Sequence, residues 1–153
     1  MGDAGFHPDL GDGPPERLRG LRLVRAADLD DETAQTSGMR RLAAISRAGV
    51  GSEHLWMGET HVSPSSRSGD HHHGRSETAI FVVSGRPEFV FLDADTDEEV
   101  RLRPEPGDYV FVPPYTPHRE ENNDADVEAV VVIARSTQEA IVVNLPSLHG
   151  PGG

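Results

Sequence analysis

Short apolar runs separated by turn residues constrain this chain more than any other feature. Met39–Ile45, Trp56–Val62, Ala79–Ser84, Glu88–Leu92, Glu98–Leu102, Asp108–Val112, Val127–Ala134 and Ile141–Leu145 are each short, and most alternate apolar with polar residues. Between them stand turn clusters such as Ser63-Pro64-Ser65-Ser66, Asp93-Ala94-Asp95-Thr96-Asp97, Pro104-Glu105-Pro106-Gly107 and Pro113-Pro114-Tyr115-Thr116-Pro117. Alternation with period two places one side of each run against a core. With Leu21–Val24 as a weak first strand, the pattern gives roughly nine or ten strands with a turn signal about every eight to twelve residues. No helical period longer than the acidic stretch Ala26–Glu32 competes with it. An antiparallel sandwich or small barrel follows, with ligands expected in its mouth or interior.

The chain has 153 residues, enough for one cored domain and too few for two. Residues 1–20, rich in Gly, Pro and Asp, read as a flexible or subunit-packing arm, and residues 21–148 as the single domain. A net charge of −12 argues against nucleic acid or an anionic membrane as partner. No apolar run approaches the ~20 residues of a membrane span, and the first residues lack the pattern of a signal peptide. The chain therefore reads as soluble and cytoplasmic. It contains no cysteine, so any metal must be held by nitrogen and oxygen.

Two stretches carry chemistry. In Gly69-Asp70-His71-His72-His73-Gly74-Arg75-Ser76-Glu77, three imidazoles and a carboxylate fall within seven residues. In extended chain His71 and His73 share a face, and His72 points the other way. Such a pair beside a carboxylate suits a divalent transition metal. The competing reading is a polar surface loop. The second stretch runs from Gly107 through Pro113 and His118 to Asn122, and supplies a third imidazole from a distant strand.

Together these stretches resemble the paired motifs of the cupin superfamily, in particular small bacterial single-domain cupins, over about residues 40–145. The first family motif is a glycine, His-x-His, a carboxylate and a closing glycine, met here by His71, His73 and Gly85. Ser65 stands where the opening glycine is expected. Glu77 follows His73 at an allowed distance, whereas counting back from Gly85 reaches Thr78. Tyr115 occupies the glycine position of the second motif. The resemblance implies an all-β jelly-roll barrel (double-stranded β-helix). It also implies one divalent transition metal (Zn, Fe, Ni or Mn) held by His71, His73, His118 and Glu77. The alternative is a three-histidine site completed by water or by His72, His54 or His61.

Some cupins of this size are polyketide cyclases. The resemblance thus leads to a metal-dependent enzyme acting on a small organic molecule, with metal-bound water or His72 as base. A dioxygenase-type cupin or a non-catalytic ligand-binding barrel are the alternatives, and a homodimer is expected. Arg75 and Arg119 flank the site and are candidates for an anionic substrate group. Trp56, Phe81, Phe89, Phe91, Tyr109 and Phe111 are expected mainly in the core. His7 and His149 have no expected role.

Overall fold

The structure, a computed structural model, describes residues 20–138 and 140–150. Most of the N-terminal arm expected at 1–20 lies outside the described residues. Eleven strands make up the described chain: β1 (Met39–Ile45), β2 (Trp56–Val62), β3 (Ser66–Arg67), β4 (His71–His72), β5 (Thr78–Ser84), β6 (Pro87–Leu92), β7 (Glu99–Leu102), β8 (Tyr109–Val112), β9 (His118–Asn122), β10 (Ala129–Arg135) and β11 (Val143–Asn144). The only helical pieces among the described residues are a single 3-10 turn, Ala26–Asp28, and one α-turn, α1 (Arg47–Val50). No helix among them is long and apolar enough to cross a membrane.

The strands form two antiparallel sheets. One has the order β1-β2-β10-β5-β8, the other β11-β4-β9-β6-β7 with β3 paired to β9. Chain neighbours are often not sheet neighbours: β10 lies between β2 and β5, and β9 between β4 and β6. This is a jelly-roll arrangement: an antiparallel sandwich, as the strand pattern implied, with the topology that the resemblance implied. Along β2, Trp56, Gly58, Thr60 and Val62 are buried while Met57 is exposed; along β10, Ala129, Val131 and Ile133 are buried. These inward rows meet Ala43, Ile80, Val82, Phe89 and Val112 in one apolar core. Burying such rows is the main drive for closing the two sheets.

Two glycines fix close approaches. Gly85 turns β5 into β6 at φ +80°, and a Cβ there would sit 2.6 Å from both Ala129 Cα and Glu128 O. Gly58 lies against the backbone of Leu42 and the ring of Trp56, with no room for a side chain.

Several expectations are corrected. Leu21–Val24 is not a strand; Leu21 and Leu23 are exposed, with no strand among the described residues to pair their backbone. Of the aromatics expected in the core, Trp56 and Phe89 are buried, but Tyr109 and Phe111 are 79% and 60% exposed. They occupy the outer face of β8, the edge strand, and the Tyr109 ring packs on Phe81 at 4.9 Å.

Candidate metal centre

The short strand β4 lies between β11 and β9, and His71 is directly opposite His118. Both side chains point into the barrel and are buried. His73 follows as the chain leaves β4 through Gly74, whose φ of +54° makes the turn. The Ile141 side chain packs where a Cβ would stand on Gly74. The two motif loops are joined by the Tyr115 N–H, which donates to the Gly74 carbonyl at 2.7 Å. Tyr115 has φ +59°, so this position demands the left-handed conformation that glycine adopts without cost.

His71, His73 and His118 can each present one ring nitrogen so that the three atoms lie within 4.8 Å of one another. The ring centroids are 4.6 to 5.0 Å apart. Each ring is held in the same way. Nδ1–H donates to a backbone carbonyl: His71 to Gly69 at 2.8 Å, His73 to Ile141 at 2.9 Å and His118 to Thr116 at 2.9 Å. That bond selects the tautomer with the lone pair on Nε2. His118 Nε2 is buried and has no hydrogen-bond partner among the described residues. Burial, reinforced by the other imidazoles, pushes His73 down to about 4 and also lowers His118, so both rings are neutral at physiological pH. Neutral imidazoles oriented from outside, with lone pairs converging, are what a divalent ion such as Zn, Fe, Ni or Mn requires of nitrogen donors.

The remaining expected site residues lie elsewhere. Glu77 is exposed; its N–H and carbonyl bind the hydroxyl and N–H of Ser136, and its carboxylate is not part of the three-histidine group. Thr78, one residue on, is the inward position of β5, and its hydroxyl is buried without a partner among the described residues. His72 faces away from the ligand group. Its Nδ1 accepts from the Gly74 N–H at 3.0 Å, and its ring lies 5.9 Å from that of Tyr115. His54 is exposed in the loop before β2, and His61 sits on the outer face of β2 between Glu59 and Glu128. Arg119 also faces outward, paired with Glu99, Glu121 and Asp70. Arg75 is exposed. His149 pairs with Asp97, and His7 lies outside the described residues.

The sequence reading missed two features. Asn122, the last motif residue, is fully buried; its amide donates to the carbonyls of Val62, Ser63 and Val127. It ties β9 to the end of β2 and the approach to β10, a structural role. The second is Glu120, on the inward side of β9 between His118 and Asn122. Alternation from His118 would have found it. A cleft of about 860 Å³ also exists, lined by Gly85, Pro87, Arg103 and Asn123 among others, but it lies at the opposite end of the barrel and none of the histidines borders it.

Comparison with known proteins accords with this geometry. No curated protein sequence matches the chain. Among solved structures, Peruvianin-I, a cysteine peptidase from Thevetia peruviana latex, superposes with a TM-score of 0.64 at 13% identity, covering 80% of this chain and 76% of that one. A recombinant oxalate oxidase in complex with glycolate gives 0.60 at 17% identity, over 72% of this chain and 57% of the other. An oxalate decarboxylase of Bacillus subtilis gives 0.62 at 17%, over 74% and 30%. The chain thus spans little more than half of the oxidase and under a third of the decarboxylase, and at such identities the likeness is one of fold. The family pattern described as "Cupin domain" matches residues 58–134, half the chain and most of the barrel. By fold, motif order and this match, the chain belongs to the cupin domain family.

Proposed function

We propose that the protein is a mononuclear metal-dependent cupin enzyme acting on a small organic molecule, with His71, His73 and His118 as its histidine ligands. The observation that carries this reading is the common tethering of the three rings: every Nδ1 is spent on a backbone carbonyl, leaving three convergent Nε2 atoms. A core that needed only polar groups satisfied would not orient three imidazoles toward one another. A divalent ion held there supplies Lewis acidity toward a carbonyl or a water molecule. The chain's own part is to fix the rings through their Nδ1–H bonds, with burial lowering the pKa of His73 and His118.

The test is elemental analysis of protein purified without a metal-affinity step. About one equivalent of a transition metal is expected, and His73→Ala combined with His118→Ala abolishes it. A wild-type protein that binds no such metal, even when loaded, overturns the reading. Mn(II) is a reasonable first ion, since Mn(II) centres are named for the Bacillus subtilis oxalate decarboxylase. Polyketide-type cyclisation remains the finer reading of the substrate chemistry. It differs from Fe(II) dioxygenase chemistry in needing no O2, so turnover of candidate poly-β-keto and other small substrates with and without air separates the two. We place the protein in the cytoplasm as a homodimer, for which the exposed Tyr109 and Phe111 on the outer edge of the five-stranded sheet offer an apolar face. Light scattering on the wild type and Phe111→Glu tests the dimer.

A further inference from the structure

One arginine of the barrel interior has no acceptor. Arg135 ends β10 on the inward row that carries Ala129, Val131 and Ile133. Its register partners on the two flanking strands, Trp56 on β2 and Thr78 on β5, are both buried. The guanidinium carbon lies 4.0 Å from the centroid of the Trp56 ring. Nε is buried and has no hydrogen-bond partner, and the group has no ion pair among the described residues. Other arginines of the fold are matched: Arg101 and Arg119 pair with carboxylates, and Arg41 donates to the Ala34 carbonyl and the Thr36 hydroxyl. In a chain of net charge −12, this inward cation is left without a carboxylate.

Taking a charge out of water without a counter-charge costs stability. Burial, helped by repulsion from Arg41, lowers the pKa of Arg135 to about 10, so the group is still a cation at neutral pH. Stacking on the indole uses the face of the guanidinium. The N–H donors lie in its plane and stay free for an acceptor. The Thr78 hydroxyl, directly opposite on the next strand, is also buried without a partner among the described residues. A planar fork of donors beside a hydroxyl matches the two oxygens of a carboxylate, and one guanidinium balances its single charge.

The pair stands at the histidine end of the barrel. Thr78 faces Val112 on β8, and from Val112 the chain passes through the turn Pro113–Pro117 to His118. On its other side Thr78 follows His73 through the loop Gly74–Glu77. The cleft lined by Gly85 and Val127 is at the opposite end of β10. We infer that Arg135, stacked on Trp56 and opposite Thr78, binds a carboxylate group, so that the small organic molecule taken into the barrel is a carboxylic acid. That this acid is a substrate rests on the metal-enzyme reading above; the anion site itself does not.

Trp56 is the only tryptophan of the chain, so its fluorescence reports on an anion that engages the stacked guanidinium. The test is titration of full-length protein, metal-loaded and chelator-stripped, with acetate, malonate and benzoate, followed by that fluorescence and by calorimetry. Wild type is expected to bind at least one of these acids saturably and to ignore the matching amide. Arg135→Met, which keeps an apolar stem over Trp56, should bind that acid about 10-fold or more weakly. Arg135→Lys keeps the charge without the fork and should restore little of the loss; it also preserves the comparison if the first variant fails to fold. The metal content of both variants should equal that of wild type. If none of the acids binds, if inorganic phosphate binds in preference, or if Arg135→Met binds within twofold of wild type, the inference is overturned while the metal site stands. If the acid binds through Arg135 in a protein that takes up no metal, the enzyme reading falls and the anion site remains.

Discussion

Replacing Asn122 by Ala should destabilise the barrel by about 3 kcal/mol. The side chain is fully buried, and its amide NH2 faces three carbonyls: Val62 at 3.0 Å, Val127 at 2.9 Å and Ser63 at 3.3 Å. Two hydrogens can make two good bonds, with Ser63 sharing one, and Oδ1 accepts weakly from the Asp124 N–H at 3.2 Å. Each net bond contributes about 1 kcal/mol, and stranding the buried carbonyls adds about 1 kcal/mol or more. With a urea m-value of about 2 kcal/mol/M, typical of small proteins, the unfolding midpoint should fall by about 1.5 M with the slope unchanged. Asn122→Asp should be worse than Ala, because it places an acceptor against three acceptors. A loss below about 1 kcal/mol for Ala, or an Asp variant as stable as Ala, would refute the reasoning, since either outcome means the donors matter little. The effect belongs to stability: His118 sits at the other end of β9, so the metal affinity of folded Asn122→Ala should change much less than its midpoint.

Other outcomes follow from the same coordinates. Gly85→Ala meets backbone atoms of Glu128 and Ala129 at 2.6 Å and holds φ at +80°, so a loss of about 2 kcal/mol is expected by denaturant titration. For His61, burial opposes protonation, but Glu128 and Glu59 together outweigh it and raise the pKa. Its contribution is therefore fully present below the unfolded-state value near 6.5 and is lost as pH rises through the folded value; NMR titration measures that value, and His61→Gln should flatten the stability profile there. In metal-stripped protein His73, pushed down to about 4 first by burial, works in the opposite direction. The unfolded chain takes up its proton first, so stability falls as pH drops from about 6.5 to about 4, by on the order of 3 kcal/mol. Urea midpoints across that window check the slope, which His73→Asn should reduce.

Most of the barrel was legible because its strands are half-buried and alternate. β1, β2 and β8 fall within the short apolar runs of the sequence, and β5, β6 and β10 each extend one residue beyond theirs. β9 was harder to see. Its sequence, His-Arg-Glu-Glu-Asn, has no apolar residue, yet four of its five side chains are buried. Polar groups occupy inward positions there because they bind the backbone of neighbouring segments, as Asn122 does, or face other histidines, as His118 does. Hydrophobic patterning cannot register such a strand. Tyr109 and Phe111 failed for the converse reason: on an edge strand the outer face has no layer above it, so alternation places aromatics in solvent. Leu21–Val24 shows that a short apolar run without a pairing partner forms no strand.

The histidines and the carboxylate differed in legibility for a physical reason. His71, His73 and His118 are found by counting along the chain because each sits beside a turn whose geometry fixes the offset: Gly74 at φ +54° and Tyr115 at φ +59°, linked by one hydrogen bond. The carboxylate is set by the pleat of a strand instead. In a strand a displacement of one residue carries a side chain to the opposite face, and Glu77 and Thr78 stand one residue apart. Glu77 satisfies the spacing from His73 but precedes the inward residue of β5, and Thr78 takes the interior position without a group that can ligate strongly.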